Sequence, residues 1–595
     1  MQFLKTFLAS LLGTILGIIL LILILVAALV SSSSEPEPYI RANTVLTIKL
    51  SGDIPARAVI DPFQELLNPG LGARVSVESL KNNLRKAASH DNIAGVWITA
   101  NQISASWANL ESVYNALGEY KESGKFLYFS TDDIGMNEKA YMLASVADSV
   151  FYNPDTMFFM EGFVAQVTMY KGMFDKIGVE PEMMSIGDYK SVTEPFMRES
   201  ISDEFRVQIE EILDSYSTTF LEAVSKRTGM SLEEVNNLMN TPPVNRTKQA
   251  YEHGLFDVLA YEDEVEKAIK NRLGIEEDGS FRTVTHGRYS RVSNRRAGID
   301  EKSTSNKIAV IYASGTFMPQ IADSPFGQSG NITSQNFKKQ IDAALEDDDI
   351  KSIIVHINSP GGVATTSDLV WRHIKRAAEK KPVVASMGAV AASAGYYIAA
   401  AADTIIAQNN TITGSIGVAL QIFNADELLT DKIGLNFETI KTHDFADIFD
   451  ISRPLTQQES SALQQRIEHS YERFLEVVAE SRGMTRDEVH EVAQGRVYTG
   501  ARAKELGLVD VIGDLDKALE IAAEMAQIDA YKIEVFPKRE DFFQQLFSSA
   551  DTHMRNALFG WLPKNMRKEV QTISQMVTYH DILTWKMMPF SIHIN

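Results

Sequence analysis

The sequence predicts an α/β fold of two tandem domains that follow an N-terminal transmembrane helix. Strand-like and helix-like segments alternate along most of the chain, several blocks recur at a nearly constant separation, and residues 7–30 form one long apolar run. Alternation of strands with helices is typical of parallel sheets covered by helices. A chain of 595 residues has room for two large domains.

The apolar run comes first. Residues 7–30 carry no charge, and a bilayer core needs about 20 apolar residues. The run exceeds the roughly 7–15 residues of a signal-peptide core, and no Ala-x-Ala site ends it. Lys5 precedes it, which favours a cytoplasmic N-terminus. We therefore expect residues 1–34 to be a single-pass anchor in the cell inner membrane, with the rest on the periplasmic side; a cleaved signal peptide is the alternative.

An internal duplication follows. Four pairs of segments resemble each other at separations of 254 to 257 residues: 77–98 with 334–355, 141–156 with 396–411, 175–180 with 431–436, and 218–235 with 472–489. A nearly constant separation indicates a duplicated domain of about 250 residues.

The duplication sets the predicted domain boundaries. The first repeat spans 40–274 and the second 306–537, and the polar, arginine-containing segment 275–305 is predicted to be a linker. Residues 538–595 lie outside the repeats and mix aromatic and charged residues at helical spacing. We expect a helical extension there, packed against the core, another subunit or the membrane surface.

Composition excludes several classes of function. The 57 basic and 78 acidic residues leave a net charge of −21, which argues against a nucleic-acid partner. The chain has no cysteine, so disulfides, thiolate metal sites and cysteine nucleophiles are excluded. No zinc-binding His-Glu-x-x-His motif occurs, and no metal or other cofactor is expected.

Three motifs of small residues in the second repeat could carry chemistry. In "NSPGG" (358–362) a strand-like run meets two glycines, whose backbone N–H groups could stabilise an oxyanion. In "AASAG" (391–395) small neighbours would let a substrate approach Ser393. In "TGSIG" (413–417) a serine, Ser415, lies between glycines. Taken singly, each is explained better by a turn or a buried helix.

Comparison of the two repeats makes the motifs informative. At an offset of 255, Ser393 corresponds to Glu138, and "NSPGG" has no counterpart in the first repeat. Conversely, Lys190 in "YKSVTEPF" corresponds to residues 444–446, which include no lysine. Such complementary loss is expected if one site is assembled from both repeats.

The residue types point to a serine–lysine pair. A serine hydroxyl is a weak nucleophile that needs a base, and the chain has no Gly-x-Ser-x-Gly elbow of the kind served by histidine. Lysine can replace histidine in this role. Its reference pKa of about 10.4 must then fall, which burial among apolar residues achieves.

In this order, the motifs resemble the signal peptide peptidase A family, also called protease IV, in its long form. The resemblance covers nearly the whole chain. It implies that Lys190 is the general base, Ser393 the nucleophile and Ser415 a residue that orients the lysine. Gly361 and Gly362 would form the oxyanion hole. The family usually has Gly-Gly after the nucleophile, where this chain has Ala-Gly.

The resemblance also implies a fold and a function. The repeats would be crotonase/Clp-protease-like α/β superhelix domains, assembled as a bowl-shaped homotetramer. The substrates would be peptides, namely cleaved signal peptides, degraded through an acyl-enzyme. Whether Lys190 and Ser393 come from one chain or from neighbouring chains is left open by the sequence; we expect one chain, because the two repeats are covalently joined. The alternatives are a membrane-anchored scaffold without catalysis, which would lack half of the dyad, and a crotonase-like acyl-CoA enzyme, which an extracytoplasmic location disfavours.

Overall fold

The computed structural model describes residues 37–58, 75–242, 246–300, 302–320, 330–538 and 585–587, besides Gly13, Thr14 and Gly17. The predicted anchor at 1–34 lies almost wholly outside these residues. Among the residues described, none forms a helix that is long and apolar enough to cross a bilayer.

The first repeat opens with alternating strands and helices. They are β1 (Thr44–Gly52), α1 (Val77–Ser89), β2 (Ile93–Ile103), α2 (Trp107–Lys121), β3 (Phe126–Thr131), α3 (Glu138–Ala144) and β4 (Ser149–Tyr152). Serine or asparagine side chains cap α1, α2 and α3, because each accepts a hydrogen bond from a first-turn N–H. Strand β2 is buried along most of its length, as expected for a parallel strand covered on both faces.

The rest of the first repeat is mainly helical. Its elements are α4 (Lys171–Ile177), β5 (Glu180–Ile186), a 3₁₀ turn (Ser191–Thr193), α5 (Glu194–Met197), α6 (Asp203–Thr228), α7 (Leu232–Met239), α8 (Arg246–Glu252), β6 (Val258–Leu259), α9 (Glu262–Leu273), β7 (Arg282–Thr285) and α10 (His286–Tyr289). The first sheet has the order β6-β4-β3-β2-β1-β7, and all its pairs are parallel.

The segment predicted as a linker is partly built into this sheet. Strand β7 pairs with β1, and Tyr289 of α10 is fully buried. Lys86 of α1 donates to the carbonyls of Tyr289, Ser290 and Val292. A strand of four residues that exposes three of them has no apolar pattern by which the sequence could reveal it.

The second repeat begins with the same alternation. Its elements are β8 (Lys307–Ser314), β9 (Thr316–Phe317), β10 (Asn331–Ile332), α11 (Ser334–Glu346), β11 (Ile350–Ser359), β12 (Gly361–Val363), α12 (Ala364–Ala378), β13 (Val383–Ala392), α13 (Ala394–Ala399), β14 (Thr404–Ala407), β15 (Ile412–Gly414) and β16 (Val418–Asn424).

Its later part is helical, like that of the first repeat. The elements are a π-helical turn (Leu428–Lys432), α14 (Gln457–Arg482), α15 (Arg486–Val492), β17 (Val497–Thr499), α16 (Gly500–Glu505), β18 (Val511–Ile512), α17 (Leu515–Met525) and β19 (Lys532–Phe536). The main sheet runs β17-β15-β13-β11-β8-β19, and β14 and β18 extend it beside β13.

A smaller sheet joins the two repeats. Its order is β10-β9-β12-β20-β16-β5, where β20 is Trp585–Met587. Strand β5 belongs to the first repeat, yet it pairs antiparallel with β16 of the second, from Val418 opposite Ile186 to Asn424 opposite Glu180. This pairing carries the residues that follow β5 across to the second repeat.

Side-chain hydrogen bonds also connect the repeats. Ser112 of α2 donates to Gln408 Oε1 (2.8 Å). The Asn410 N–H donates to Glu111, which also lies on α2 (3.2 Å). The Asn410 side chain donates to Thr219 of α6 (3.2 Å). Helices α2 and α6 therefore hold the loop between β14 and β15 in a fixed position.

The C-terminal segment differs from the sequence prediction where it is described. A helical extension was predicted for 538–595, and most of that range lies outside the described residues. Trp585–Met587 instead forms strand β20, which lies antiparallel between β12 and β16. An extended chain fits this position because both neighbouring strands can offer it backbone hydrogen bonds.

Candidate active site

The predicted site residues follow strands that end side by side. Parallel pairing sets Ser359 of β11 opposite Ala391 of β13, and Ala392 of β13 opposite Gly414 of β15. The carboxyl ends of these three strands therefore meet at one edge of the sheet, where ligands of open α/β sheets bind.

Ser393 lies immediately after β13 in an uncommon conformation. Its φ is +55° and its ψ is −112°, a combination that costs a non-glycine residue free energy and occurs most often at functional sites. Its N–H donates to the Gly414 carbonyl (2.8 Å), which holds this backbone in place. The side chain is fully buried at the start of α13.

The small residues around Ser393 permit close packing. A Cβ on Gly395 would lie 2.9 Å from the Ser359 carbonyl oxygen, so only glycine lets α13 approach the end of β11. Ala394 packs without exposure beside it. The Ala394–Gly395 pair, which stands where the family usually has Gly-Gly, therefore fits this position.

Lys190 comes from the first repeat and reaches both serines. Its Nζ lies 3.0 Å from Ser393 Oγ, 2.9 Å from Ser415 Oγ and 3.1 Å from the Ser415 carbonyl oxygen. Lys190 is 2% exposed and both serines are 0% exposed. The three side chains that the sequence analysis singled out therefore meet within one chain.

Burial determines the charge of this lysine. It lowers the pKa of Lys190 well below the ordinary value of a lysine, because the ammonium form loses its hydration. Burial is the cause of this lowering, and no carboxylate among the described residues opposes it.

The contacts suit a neutral amine. A neutral lysine has two N–H groups and one lone pair, and Nζ has three neighbours. The Ser415 carbonyl can only accept, so one N–H donates to it. If the second N–H donates to Ser415 Oγ, the lone pair faces Ser393 Oγ and can take its proton.

We call residues 187–190, after β5, the lysine loop, and residues 415–417, between β15 and β16, the serine turn. A segment that the sequence analysis missed connects the two. Residues 494–497 follow α15 and end at Val497, the first residue of β17. Three backbone hydrogen bonds anchor them: Tyr189 N–H to the Gln494 carbonyl (2.9 Å), Gly495 N–H to the Ile416 carbonyl (2.8 Å) and Ser415 N–H to the Arg496 carbonyl (2.6 Å). We call residues 494–497 the bridging segment.

Glycine is required at the centre of the bridging segment. Gly495 has a φ of +80°, and a Cβ there would lie 2.6 Å from the Cβ of Lys190. In the sequence, Gly495 stands as an isolated glycine in "AQGRVY". Nothing local distinguishes it from a turn glycine, because the constraint comes from a loop about 300 residues earlier in the chain.

The predicted oxyanion glycines follow Ser359, which lies opposite Ala391, two residues before Ser393. Gly361 and Gly362 have φ values of +123° and +149°, and a Cβ on Gly362 would lie 2.3 Å from the Phe317 carbonyl oxygen. The Gly361 N–H donates to Ser359 Oγ (3.2 Å). Of the two predicted donors, Gly361 thus already has a partner within its own turn.

Strand β20 runs along this glycine turn. It pairs Met587 with Gly361, Lys586 with Gly362 and Trp585 with Val363. A segment of the chain thus already lies, in extended form, beside the two predicted oxyanion glycines.

The equivalent place in the first repeat holds an acid. Glu138 is 6% exposed and accepts hydrogen bonds from the N–H groups of Glu161 (2.7 Å) and Gly162 (3.0 Å). Burial raises its pKa. Helix α3 starts at Glu138 with Asn137 as its cap, so Asn137 takes the cap position that Ser393 takes before α13. The first repeat thus has asparagine and glutamate, and no serine, at positions 137 and 138.

Comparison with known proteins identifies the family. The family model described as Peptidase family S49 matches residues 119–276 and 375–529, one match in each repeat, and the Clp protease model matches 327–412. The latter agrees with the Clp-protease-like fold expected for the second repeat.

Three relatives illustrate the range of similarity. "Serine protease SPPA, chloroplastic" of Arabidopsis thaliana is 37% identical over 83% of this chain and 71% of its own length. "Protease 4" of Salmonella typhi is 30% identical over 84% of this chain and 80% of its own length. "Putative signal peptide peptidase SppA" of Enterococcus faecium is 33% identical over 39% of this chain and 68% of its own length.

The match covers both repeats and most of the chain, and its relatives are serine peptidases of the SppA and protease 4 type. The chain therefore belongs to peptidase family S49, as a serine peptidase that contains the family's domain twice.

Proposed function

We propose that this serine peptidase cleaves peptides with Ser393 as the nucleophile and Lys190 as the general base. The observation that carries the proposal is the contact of 3.0 Å between Lys190 Nζ and Ser393 Oγ in a fully buried site. Burial favours the neutral amine, which is the form that can accept a proton.

The reaction has two halves. Ser393 Oγ attacks the carbonyl carbon of the scissile bond while its proton passes to Lys190 Nζ, and the resulting ammonium gives that proton to the departing amine. This leaves an ester between Ser393 and the acyl half of the peptide. Water then attacks the ester and gives a proton to Lys190, which returns it to Ser393 Oγ as the acid leaves.

Ser415 and the glycine turn have supporting roles in the proposal. Ser415 orients the amine through its hydroxyl and carbonyl oxygens, which lie 2.9 and 3.1 Å from Nζ. The Gly361–Gly362 turn supplies N–H groups for the oxyanion. Because Gly361 N–H already donates to Ser359, Gly362 is the better candidate of the two.

The substrate binds as an extended strand between β12 and β16. The pairing of β20 with both strands supports this mode, since it demonstrates that the edge accepts an antiparallel strand. In this mode, hydrogen bonds to the peptide backbone supply much of the affinity, so binding does not require a long sequence motif in the substrate.

We propose cleaved signal peptides as the substrates and residues 1–34 as the membrane anchor. The printed name of the Enterococcus faecium relative supports this substrate class. The apolar run at 7–30 supports the anchor. The catalytic domains then lie on the periplasmic side of the inner membrane, next to the peptides left there by preprotein processing.

Assembly into a homotetramer is part of the proposal. In the first repeat, β5 and the lysine loop dock on the second repeat of the same chain. Their counterpart in the second repeat, residues 434–446, is exposed and includes Ile440 (99% exposed), Phe437 (48%) and Phe445 (49%). If these residues dock on the first repeat of another copy, the same contact repeats head to tail and can close a ring.

The assembly is tested by light scattering of the full-length protein in detergent. We expect a tetramer, and we expect Ile440→Asp together with Phe445→Asp to give monomers. A wild-type monomer at micromolar concentration would refute the tetramer.

The catalytic proposal is tested with Ser393→Ala and Lys190→Ala in the full-length protein in detergent. Each should lower the hydrolysis of a fluorogenic peptide by at least about 10²–10⁴-fold. Lys171→Ala, which removes a partly exposed lysine paired with Asp175, is the control and should retain activity. Undiminished hydrolysis by either dyad variant would exclude the mechanism.

The substrate class needs a separate comparison. A synthetic signal-peptide core should be cleaved with a higher kcat/KM than a polar peptide of the same length. Equal kcat/KM values for the two peptides would exclude the preference for signal peptides, but not the peptidase activity. A wild-type protein that binds such peptides without cleaving any would favour the scaffold.

A further inference from the structure

Gln208 is a fully buried amide that contacts both repeats near the dyad. It lies on α6 and is 0% exposed. Its Oε1 accepts the Val497 N–H of the second repeat (2.8 Å), and its Nε2 donates to the Tyr189 carbonyl of the first (3.2 Å). The orientation of the amide is fixed, because Val497 N–H can only donate and the Tyr189 carbonyl can only accept.

Two of the hydrogen-bond partners of Gln208, Tyr189 and Val497, flank the catalytic residues. Tyr189 directly precedes Lys190, and Val497 ends the bridging segment, in which the Arg496 carbonyl accepts the Ser415 N–H (2.6 Å). One side chain thus fixes the separation between the loop that carries the amine and the segment that holds the serine turn.

A second residue of α6 supports the same junction. Glu211, one turn after Gln208, pairs with Arg496 of the bridging segment (2.5 Å). The Arg496 guanidinium in turn lies 4.9 Å from the ring centre of Tyr189. This pair is partly exposed, so we expect it to contribute less than the buried amide.

Comparison of the two repeats shows that the buried amide occurs in the repeat that contains Lys190. Helices α6 and α14 both have 26 residues, with caps Ser202 and Thr456 that are 254 residues apart. The same offset from Gln208 leads to Ala462, which is exposed. The repeat that supplies the base therefore has the amide, and the other repeat lacks it.

We propose that Gln208 is a positioning residue that holds Lys190 Nζ at proton-transfer distance from Ser393. This inference rests on the proposed dyad. Gln208 contacts the lysine loop and the bridging segment rather than the edge between β12 and β16, so it acts on the chemical step and not on peptide binding. Loss of the hydrogen bonds to Tyr189 and Val497 lets the amine shift relative to the hydroxyl, and a displacement of about 1 Å can cost about 10²-fold in rate.

The test replaces the amide by a side chain of similar volume. In the full-length protein, Gln208→Met should lower kcat by about 10- to 100-fold and leave KM within about twofold. The rate at which a fluorophosphonate labels Ser393 should fall in parallel, because that reaction needs an activated hydroxyl and no peptide. Gln465→Met on the exposed face of α14 is the matched control and should behave as wild type.

The outcomes separate a positioning role from other causes. Unchanged kcat and labelling rate in a folded Gln208→Met protein would refute the inference, and so would a change in KM alone. If Gln208→Met does not fold, Gln208→Asn, which keeps an amide of shorter reach, must fold and show the same loss of kcat. Failure of the dyad itself is recognised separately, because Lys190→Ala would then remain active.

Discussion

Lys190 is a buried amine whose neighbours are two serine hydroxyls and one backbone carbonyl. An isolated charge at such a position is costly, so the native state favours the neutral amine. Ser393 adds a second unfavourable feature, a positive φ. Both are typical of sites where the fold sustains a reactive arrangement at the expense of stability.

The pH dependence of catalysis follows from this burial. The base must be neutral, and the pKa of Lys190 lies well below that of an exposed lysine. We expect kcat/KM to rise with pH through that lowered pKa and to reach a plateau before an ordinary lysine titrates near pH 10.4. If the rise in kcat/KM is only half complete at about pH 10.4, then either the pKa of Lys190 is not lowered or Lys190 is not the base.

The same shift makes stability depend on pH. Between the lowered pKa of folded Lys190 and its ordinary value in the unfolded chain, the unfolded state binds one more proton, so wild-type stability rises with pH. Lys190→Met removes this group. We expect the variant to be more stable than wild type at neutral pH, with a difference that shrinks as the pH approaches about 10.4. Urea unfolding at several pH values measures it, and a constant difference would contradict it.

At the scale of elements, the sequence predicted those parts of the site that depend on local pattern. The sequence singled out "NSPGG", "AASAG" and "TGSIG" as candidate parts of one site. The register adds that the strands leading into them, β11, β13 and β15, are neighbours. The cross-repeat pairing of β5 with β16 had no local signal. Gln208 and Gly495 were missed for the same reason, since ordinary residue types acquire their roles from partners far away in the chain.

Strand β20 has a consequence for substrate access. It lies in the position where we propose that the substrate strand binds, and Ser393 is fully buried. Deletion of residues 582–595 should therefore lower KM for peptides several-fold with little change in kcat, because the substrate no longer competes with the chain's own strand. Deletion of 588–595 alone keeps the strand and is the control.

A synthetic peptide provides an independent check on this competition. The sequence 582–590, added to the truncated protein, should inhibit or be cleaved with a KM in the range of other substrates. Unchanged KM after truncation, together with no effect of the peptide, would mean that β20 and substrate do not share a site.

At the scale of the whole molecule, duplication explains why the dyad can be split between repeats. Each repeat has the same framework of strands and helices. Strand β5 of the first repeat, however, pairs with β16 of the second, and the lysine loop that follows β5 therefore contributes Lys190 to the site of the second repeat. The first repeat then needs no serine, and its equivalent position holds Glu138, bonded to its own backbone. The second needs no lysine, and its equivalent segment is exposed.

This division predicts how inactive variants behave when combined. The lysine and serine meet within one chain, and β5 and the bridging segment fix that pairing through many backbone hydrogen bonds. Co-expressed Lys190→Ala and Ser393→Ala proteins should therefore show no more peptidase activity than the sum of the two alone, even in mixed oligomers. Wild type co-expressed with Ser393→Ala is the control and should lose activity only in proportion to the inactive chain. Activity recovered in the mixed variants would show that neighbouring chains exchange the lysine loop, and the single-chain site would then be wrong.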